Sequence, residues 1–454
     1  MDATQVASDI AGGKITAFKT MQNALSKAKE LHNLGAIVKI DADIALSRAQ
    51  KADKVSKKYR GCFHGVPFLG KDLGSSSFNL TTSGGVLALR KKLEADSSES
   101  DLFSKFHESG LITFGLTAVP ELGLALTSEP TNELPALNPW NTEYSPGGSS
   151  GGAAAAVAAG IVPIAHATDA AGSIRIPAAC CGIMGLKPSR GTSLGGPNFN
   201  NYLAGIAEEF VVTRSIRDLK NTLQILKKNN PYQRNSHSIK NLSKIGVYFP
   251  ENCSEIQHKL FFNTVKKMKK RGFETVEIPS LDEFGRDSHE IARIILTAGL
   301  TECLDSFEIN DNEIRPLTSA IANEGRDMKS STLFSAIRGI AKVSDSLDRI
   351  FDTVDVIFSP ILANLPPKLG HFDFNSKNPS KHFASMESLA PNASIANIAG
   401  LPALAMPFGF ENGFPVSFQL MSRIGSDLPL LELGEKLEQI NGRKVFPFER
   451  PQLK

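Results

Sequence analysis

The sequence predicts an α/β protein with a mixed, twisted central β-sheet surrounded by α-helices. Three observations point there. Residues 243 to 279 read as strand, helix, strand. Residues 403 to 421 read as a hairpin. Elsewhere short apolar runs are interspersed with amphipathic ones, without clean alternation. Strands and helices mixed in this way fit a single mixed sheet wrapped by helices, and such sheets twist.

Residues 15 to 59 carry Ile15, Phe18, Met21, Ala24 and Leu25 at near-helical spacing, then a run rich in Ala, Arg and Lys from Asp43 to Lys57, so a helical segment is expected. Residues 61 to 73 break into loop and short strand. A helix over 99 to 109 is closed by Gly110, and Leu111 to Gly115 form a short strand. Residues 127 to 152 are rich in Pro, Asn, Gly and Ser and form a long loop, a kind of segment that is often functional. An alanine-rich buried helix follows over 153 to 159, then a buried strand from Ile161 to His166 and a turn from Asp169 to Ser173.

In the β-α-β unit, strands Ile245 to Phe249 and Thr275 to Ile278 flank a helix ending in Lys266, Lys267, Lys269, Lys270 and Arg271 before Gly272. That run fits a solvated helix end complementing the helix dipole better than an anion or nucleic-acid patch. The polar stretch 227 to 242 reads as a linker or surface loop, and 364 to 392 as a loop. Strands Ala403 to Phe408 and Pro415 to Met421 meet across Glu411, Asn412 and Gly413, and a helix over 428 to 440 follows.

The 454 residues allow one large domain or two ordinary ones. With 41% hydrophobic and 21% charged residues the composition is globular. A net charge of +3 is too small to argue for nucleic acid or a membrane surface, and one Trp with five Tyr offers no stacking platform. Cys62, Cys180, Cys181, Cys253 and Cys303 are odd in number and lack metal-ligand spacing, which fits reduced thiols in a cytoplasmic protein. The N-terminus shows no basic start followed by an apolar run, so no signal peptide is expected. The longest apolar stretch, Ala153 to Ala165, is interrupted by Gly160 and Pro163 and is too short to span a bilayer.

Three segments could carry chemistry. SPGGSSGG at 145–152 surrounds Ser149 and Ser150 with glycines that let backbone approach a ligand. TDAAGSIR at 168–175 places small residues before Ser173, where successive N–H groups could form an oxyanion hole. HGVPFLGKD at 64–72 sets Lys71 behind an apolar run, where desolvation would lower its pKa and make it a base. Each has a plain reading: Ser149, Ser150 and Ser173 as caps or turn residues, and Lys71 as a surface lysine. Their joint occurrence favours a hydrolase. Gly147 to Gly151 also fits the G-x-S-x-G nucleophile elbow, but that turn needs an apolar strand before it, and residues 141–146 are polar and end in proline.

SPGGSSGGAAAAVAAG, ATDAAGSIRIPAACCGIMGLKPSRG and the upstream HGVPFLGKD together resemble the amidase signature family. AVPELG at 118–123, NPW at 138–140, NIAGLPALAMPFGF at 397–410 and GFPVSFQLMSR at 413–423 are similar to further family blocks. The resemblance implies the amidase signature fold as one domain over residues 1–454, with a core at about 60–225 plus 390–440 and a variable substrate-side region at about 225–390. It implies Lys71 as base, Ser149 as relay with a cis peptide bond before it, and Ser173 as nucleophile. It implies an oxyanion hole from the N–H groups of Ala170, Ala171, Gly172 and Ser173, with Asp169 and Arg175 as structural supports.

The family's usual pair of glycines before the nucleophile is Ala171–Gly172 here. The ATDAAGSIRIPA form and the LKPSRGTSLGGP continuation are similar to the branch containing 6-aminohexanoate cyclic dimer hydrolases, so Ala171 reads as a feature of that branch. No metal or organic cofactor is implied. The expected ligand is a small-molecule amide, and the expected assembly a monomer or homodimer. Two alternatives stand beside an amidase: the glutaminase subunit of a tRNA-dependent amidotransferase, and an inactive relative acting as a binding protein. His166, inside an apolar strand, reads as a core residue. Asn132, Cys303 and Asn397 could contact substrate, though each also reads as an ordinary packing or loop residue.

Overall fold

The computed structural model describes residues 1–93, 98–194, 202–227 and 242–440. Among these, eleven strands form one sheet. They are β1 (Ile37–Ile40), β2 (Val66–Lys71), β3 (Leu111–Thr117), β4 (Ile164–Asp169), β5 (Met184–Lys187), β6 (Glu208–Thr213), β7 (Lys244–Val247), β8 (Glu274–Glu277), β9 (Val356–Pro360), β10 (Ala403–Glu411) and β11 (Phe414–Ser422). Their spatial order is β1-β3-β2-β4-β6-β5-β10-β11-β9-β7-β8. β2 is parallel to β3 and β4, and β7 is parallel to β8 and β9; the other pairs are antiparallel. The sheet is therefore mixed, and helices cover it, as the sequence predicts.

Several elements differ from expectation. The segment 15–59 is not continuously helical. It holds helices Ala17–Glu30 and Ala42–Asp53, with β1 between them pairing onto Gly115 to Thr117. Tertiary pairing with an available sheet edge overrides local propensity there. β4 starts three residues later than predicted. Ile161 N–H returns to the Ala156 carbonyl at 2.9 Å and Gly160 N–H to Val157 at 3.1 Å, a closure that uses up the first residues after the helix. The expected loop 364–392 contains a helix, Pro379–Leu389, started by Pro379 at its first turn and by Asn378, which accepts the Lys381 N–H. An unexpected helix, Ala3–Ala11, is capped by Asp2. The stretch 227–242 lies, apart from its ends, outside the described residues.

The helix Gly151–Ala158 is buried along its whole length. Its alanines let it sit against β4 and the helix Arg175–Cys181 without large side chains between backbones. On the β2 side, Phe68, Phe103 and Phe106 pack edge to face with ring centroids 5.1–6.1 Å apart. Full burial of each such ring contributes about 1.5–3 kcal/mol. This cluster also touches the His166 ring, 5.1 Å from Phe103, so the floor of the site is tied to the core.

Strand direction decides where the chemistry gathers. Because β2 and β4 are parallel, their C-terminal ends lie at the same edge of the sheet, and Lys71, Thr168 and Asp169 come together there. Ligands of open α/β sheets collect at that edge. Antiparallel pairing of β6 brings Glu209 opposite Thr168 and Glu208 opposite Asp169. Side chains alternate along a strand. His166, Thr168 and Glu209 therefore share one face of the sheet, and Asp169 and Glu208 take the other.

Candidate active site

Lys71 ends β2 and is fully buried. Its Nζ lies 2.8 Å from Ser149 Oγ and 2.7 Å from Thr168 Oγ1. Burial pushes this amine down to about 7, while Asp169 and Glu209 partly oppose that shift. An amine with that value is largely neutral in mildly alkaline solution and can accept a proton.

Ser149 is held by its own loop. The Gly148–Ser149 peptide is cis. Ser128 Oγ lies 3.1 Å from the Gly147 carbonyl and 3.2 Å from the Ser149 carbonyl, and it accepts the Gly151 N–H at 2.9 Å. A Cβ on Gly148 would stand 2.3 Å from the Thr127 carbonyl oxygen, so only glycine fits against that backbone. Ser150 ties the loop to the nucleophile segment. Its N–H donates to the Ser173 carbonyl at 3.3 Å, and its hydroxyl bonds the Thr168 carbonyl at 3.2 Å.

The turn after β4 is shaped by Asp169. Its carboxylate accepts the Gly172 N–H at 2.7 Å and the Ile174 N–H at 3.1 Å. Arg175 meets both carboxylate oxygens, at 3.0 Å from Nε and 3.0 Å from Nη2. Burial alone would raise the Asp169 carboxyl, but the Arg175 charge and hydrogen bonds, with Asn397, hold it at about 2. Arg175 also reaches Gln419 Oε1 at 3.0 Å, Asn397 Oδ1 at 2.7 Å and the Ala393 carbonyl at 2.9 Å. Asn397 in turn donates to the Asp169 carbonyl at 2.8 Å. Asn397, which the sequence left between a packing residue and a substrate contact, is thus a buried clamp on this turn.

Removing the Arg175 charge strands a buried carboxylate. Arg175→Leu is predicted to destabilise the fold by about 3–5 kcal/mol, read as a shifted midpoint in urea unfolding; an unchanged midpoint would remove Arg175 from this role.

The turn accommodates Ala171 without difficulty. The positive φ falls on Gly172, at 114°, and not on Ala171. A Cβ on Gly172 would also meet Ile176 Cδ1 at 2.6 Å. The Gly172 N–H is engaged by Asp169, so that group of the predicted oxyanion hole does not face an open site. Among the described residues no hydrogen bond engages the N–H of Ala171 or Ser173.

Ser149, Thr168, Ala170 and Ser173 line a cavity of about 730 Å³. Its walls are largely apolar, with Leu73, Leu89, Leu122, Leu203, Leu296 and Phe307, and they include Ser75, Ser76, Thr81 and Thr82. Cys303 lines it too, but burial raises its thiol to about 11, which leaves it protonated and a poor nucleophile at neutral pH. Asn132 is exposed and is not among the lining residues. Thr168 and Glu209, to which sequence reasoning gave no role, stand near Lys71, and so does His166, read from sequence as a core residue and fully buried. His166 Nδ1 accepts the Lys71 N–H at 3.2 Å, which places its ring proton on Nε2, 3.4 Å from Glu209 Oε1.

A family model described as Amidase matches residues 19–431. The chain belongs to the amidase signature family. This family member is 26% identical, over 491 residues covering 100% of it and 96% of the relative, to a 6-aminohexanoate-cyclic-dimer hydrolase of Pseudomonas sp. (strain NK87). It is 28% identical, over 466 residues covering 94% of each chain, to a glutamyl-tRNA(Gln) amidotransferase subunit of Legionella pneumophila (strain Paris). Its fold matches the structure of a 6-aminohexanoate cyclic dimer hydrolase complexed with substrate, with a TM-score of 0.89 at 22% identity, covering 100% of this chain and 98% of that one. The chain is an amidohydrolase, and its reaction class is amide hydrolysis. Among the described residues no helix is long and apolar enough to cross a membrane.

Proposed function

We propose that this amidase hydrolyses the amide bond of a small, predominantly uncharged carboxamide through Ser173, Ser149 and Lys71, within one amidase domain spanning residues 1–454. The observation that carries the reading is the buried Lys71 amine, near neutrality in its titration, 2.8 Å from Ser149 Oγ at the floor of the cavity that Ser173 lines. Ser173 Oγ attacks the amide carbonyl carbon while its proton passes through Ser149 to neutral Lys71. The carbonyl oxygen becomes an oxyanion facing the N–H groups of Ala170, Ala171 and Ser173, with Gly172 shaping the turn. The C–N bond then breaks, and the proton returns through Ser149 to the leaving nitrogen. Water attacks the acyl-enzyme and gives a proton to Lys71 by the same path; the C–Oγ bond then breaks as that proton returns through Ser149 to Ser173 Oγ, releasing the carboxylic acid and restoring neutral Lys71.

Apolar walls favour substrates with an aliphatic or aryl group beside the amide. A panel of acetamide, glutamine, hexanamide and acyl anilides tests this. Amides with the larger apolar groups are predicted to exceed acetamide in kcat/KM by about 10- to 100-fold, at roughly 1–3 kcal/mol for each well-placed apolar contact. Preference for free glutamine, or glutamine turnover only with an added partner, would instead favour the amidotransferase-subunit reading.

A further inference from the structure

We propose that Glu209 is a positioning residue of this site: its buried carboxylate stabilises, through its field and not by contact, the Lys71 ammonium that forms when Ser173 attacks, and through Ser75 it fixes the adjoining cavity wall. The inference rests on Lys71 being the base.

The first support is geometric. Thr168, hydrogen-bonded to Lys71 Nζ at 2.7 Å, is the direct cross-strand partner of Glu209, so the two acceptors stand side by side on one face of the sheet. Glu209 Oε1 accepts the Ser75 N–H at 2.7 Å, and Oε2 accepts the Ser75 hydroxyl in a short hydrogen bond. His166 Nε2 lies 3.4 Å from Glu209 Oε1 without a hydrogen bond, while Nδ1 of the same ring accepts the Lys71 N–H. The carboxylate therefore braces, through Ser75, a wall of the cavity.

The second support is the pairing of buried charges at this end of the sheet. Asp169 is matched by Arg175 at 3.0 Å, and Asp72 by Arg90 at 3.6 Å. Glu208, on the opposite face, shares its field with Lys187, which burial pushes down and Glu208 partly restores. That leaves Glu209 and Lys71. While Lys71 is neutral, the Ser75 N–H and hydroxyl are the donors that stabilise Glu209 among the described residues. When Lys71 takes the Ser173 proton, the carboxylate gains a counter-charge. A fixed charge aimed at charge that develops during reaction is the arrangement that lowers a barrier.

The groups facing Lys71 are His166 and Asp169 on β4, Glu209 on β6, and Asp72 with Arg90 beyond β2. Asp169 acts on Lys71 more strongly than Glu209 does, but it is already matched by Arg175, as Asp72 is by Arg90; among the described residues Glu209 has no Lys or Arg within ion-pair distance.

The test follows the rate at which a small alkyl fluorophosphonate, which phosphonylates nucleophilic serines, labels Ser173 of the full chain from pH 5 to 9. The wild type should show a single rise with a midpoint at about 7. Glu209→Gln should move that midpoint down by on the order of 1 pH unit and lower the alkaline plateau by roughly 10- to 100-fold. Glu209→Asp should recover part of both. Ser75→Ala, which leaves the carboxylate charged but less well solvated, should move the midpoint up. This variant carries the test if Glu209→Gln does not fold.

A folded Glu209→Gln protein with the wild-type midpoint, or a Ser75→Ala midpoint that falls, would overturn the inference. Lys71→Met separates the two readings. If its profile keeps the same rise, Lys71 is not the base and the underlying reading fails. If the rise disappears in Lys71→Met yet persists unchanged in Glu209→Gln, only the role of Glu209 fails.

Discussion

Ser173→Ala is predicted to lower kcat for any hydrolysed amide by about 10⁴-fold or more while leaving the fold intact. The size follows from chemistry. Without the hydroxyl no acyl-enzyme forms, and the remaining catalysis comes from oriented N–H groups and substrate binding alone. The fold should survive because the hydroxyl makes no hydrogen bond among the described residues, and Ser173 contributes to loop packing through its carbonyl, which accepts from Ser150 N–H at 3.3 Å. The check is a progress curve on the best substrate, together with an unchanged thermal unfolding midpoint. Full activity in the variant would remove Ser173 as nucleophile.

Lys71→Met should lower kcat by about 10²- to 10⁴-fold and change the pH profile. In the wild type the lysine works only when neutral. Its titration near 7 means that kcat/KM should be flat above that value and fall about tenfold per pH unit below it. The sign is fixed by burial, which disfavours the ammonium. A lysine at its ordinary value of 10.5 would keep activity rising up to strongly alkaline pH. In the Met variant the residual rate should lose this dependence, since no group with that titration remains in contact with Ser149. Methionine suits the site because a buried, unpaired polar group is avoided and most of the volume is kept. A profile with the wild-type limb in Lys71→Met would point to another base.

The segments holding the proposed catalytic residues stood out in the sequence as short blocks of unusual composition, and the roles within them came from the resemblance of those blocks to the amidase signature. Glycines and small residues around Ser149 and Ser173 mark places where backbone must pass close to other backbone, and the structure shows why at Gly148, pressed against Thr127. The hairpin β10–β11 and the parallel pair β7–β8 were readable from alternation and turn residues, which are local. The strand Ile37–Ile40 was not, since its four residues take that form only against β3. Glu209 was invisible for a related reason. In sequence it is one of two adjacent acids before an apolar run. Only the register of β6 on β4 sets Glu209 beside Thr168, whose hydroxyl meets Lys71 Nζ, and Glu208 beside Asp169. Asn397 was read as a packing or loop residue that could also contact substrate; its specific hydrogen bonds to Asp169 and Arg175, far away in the chain, are disclosed by nothing local.

The most direct test of the Ser173–Ser149–Lys71 account is the site of covalent capture. The full chain is treated with a small alkyl fluorophosphonate, digested, and its peptides sequenced by tandem mass spectrometry. The account predicts a single adduct on Ser173, formed faster above pH 7 than below it, and none in Ser173→Ala. An adduct on Ser149, on Cys303, or on any residue that persists in Ser173→Ala would contradict it.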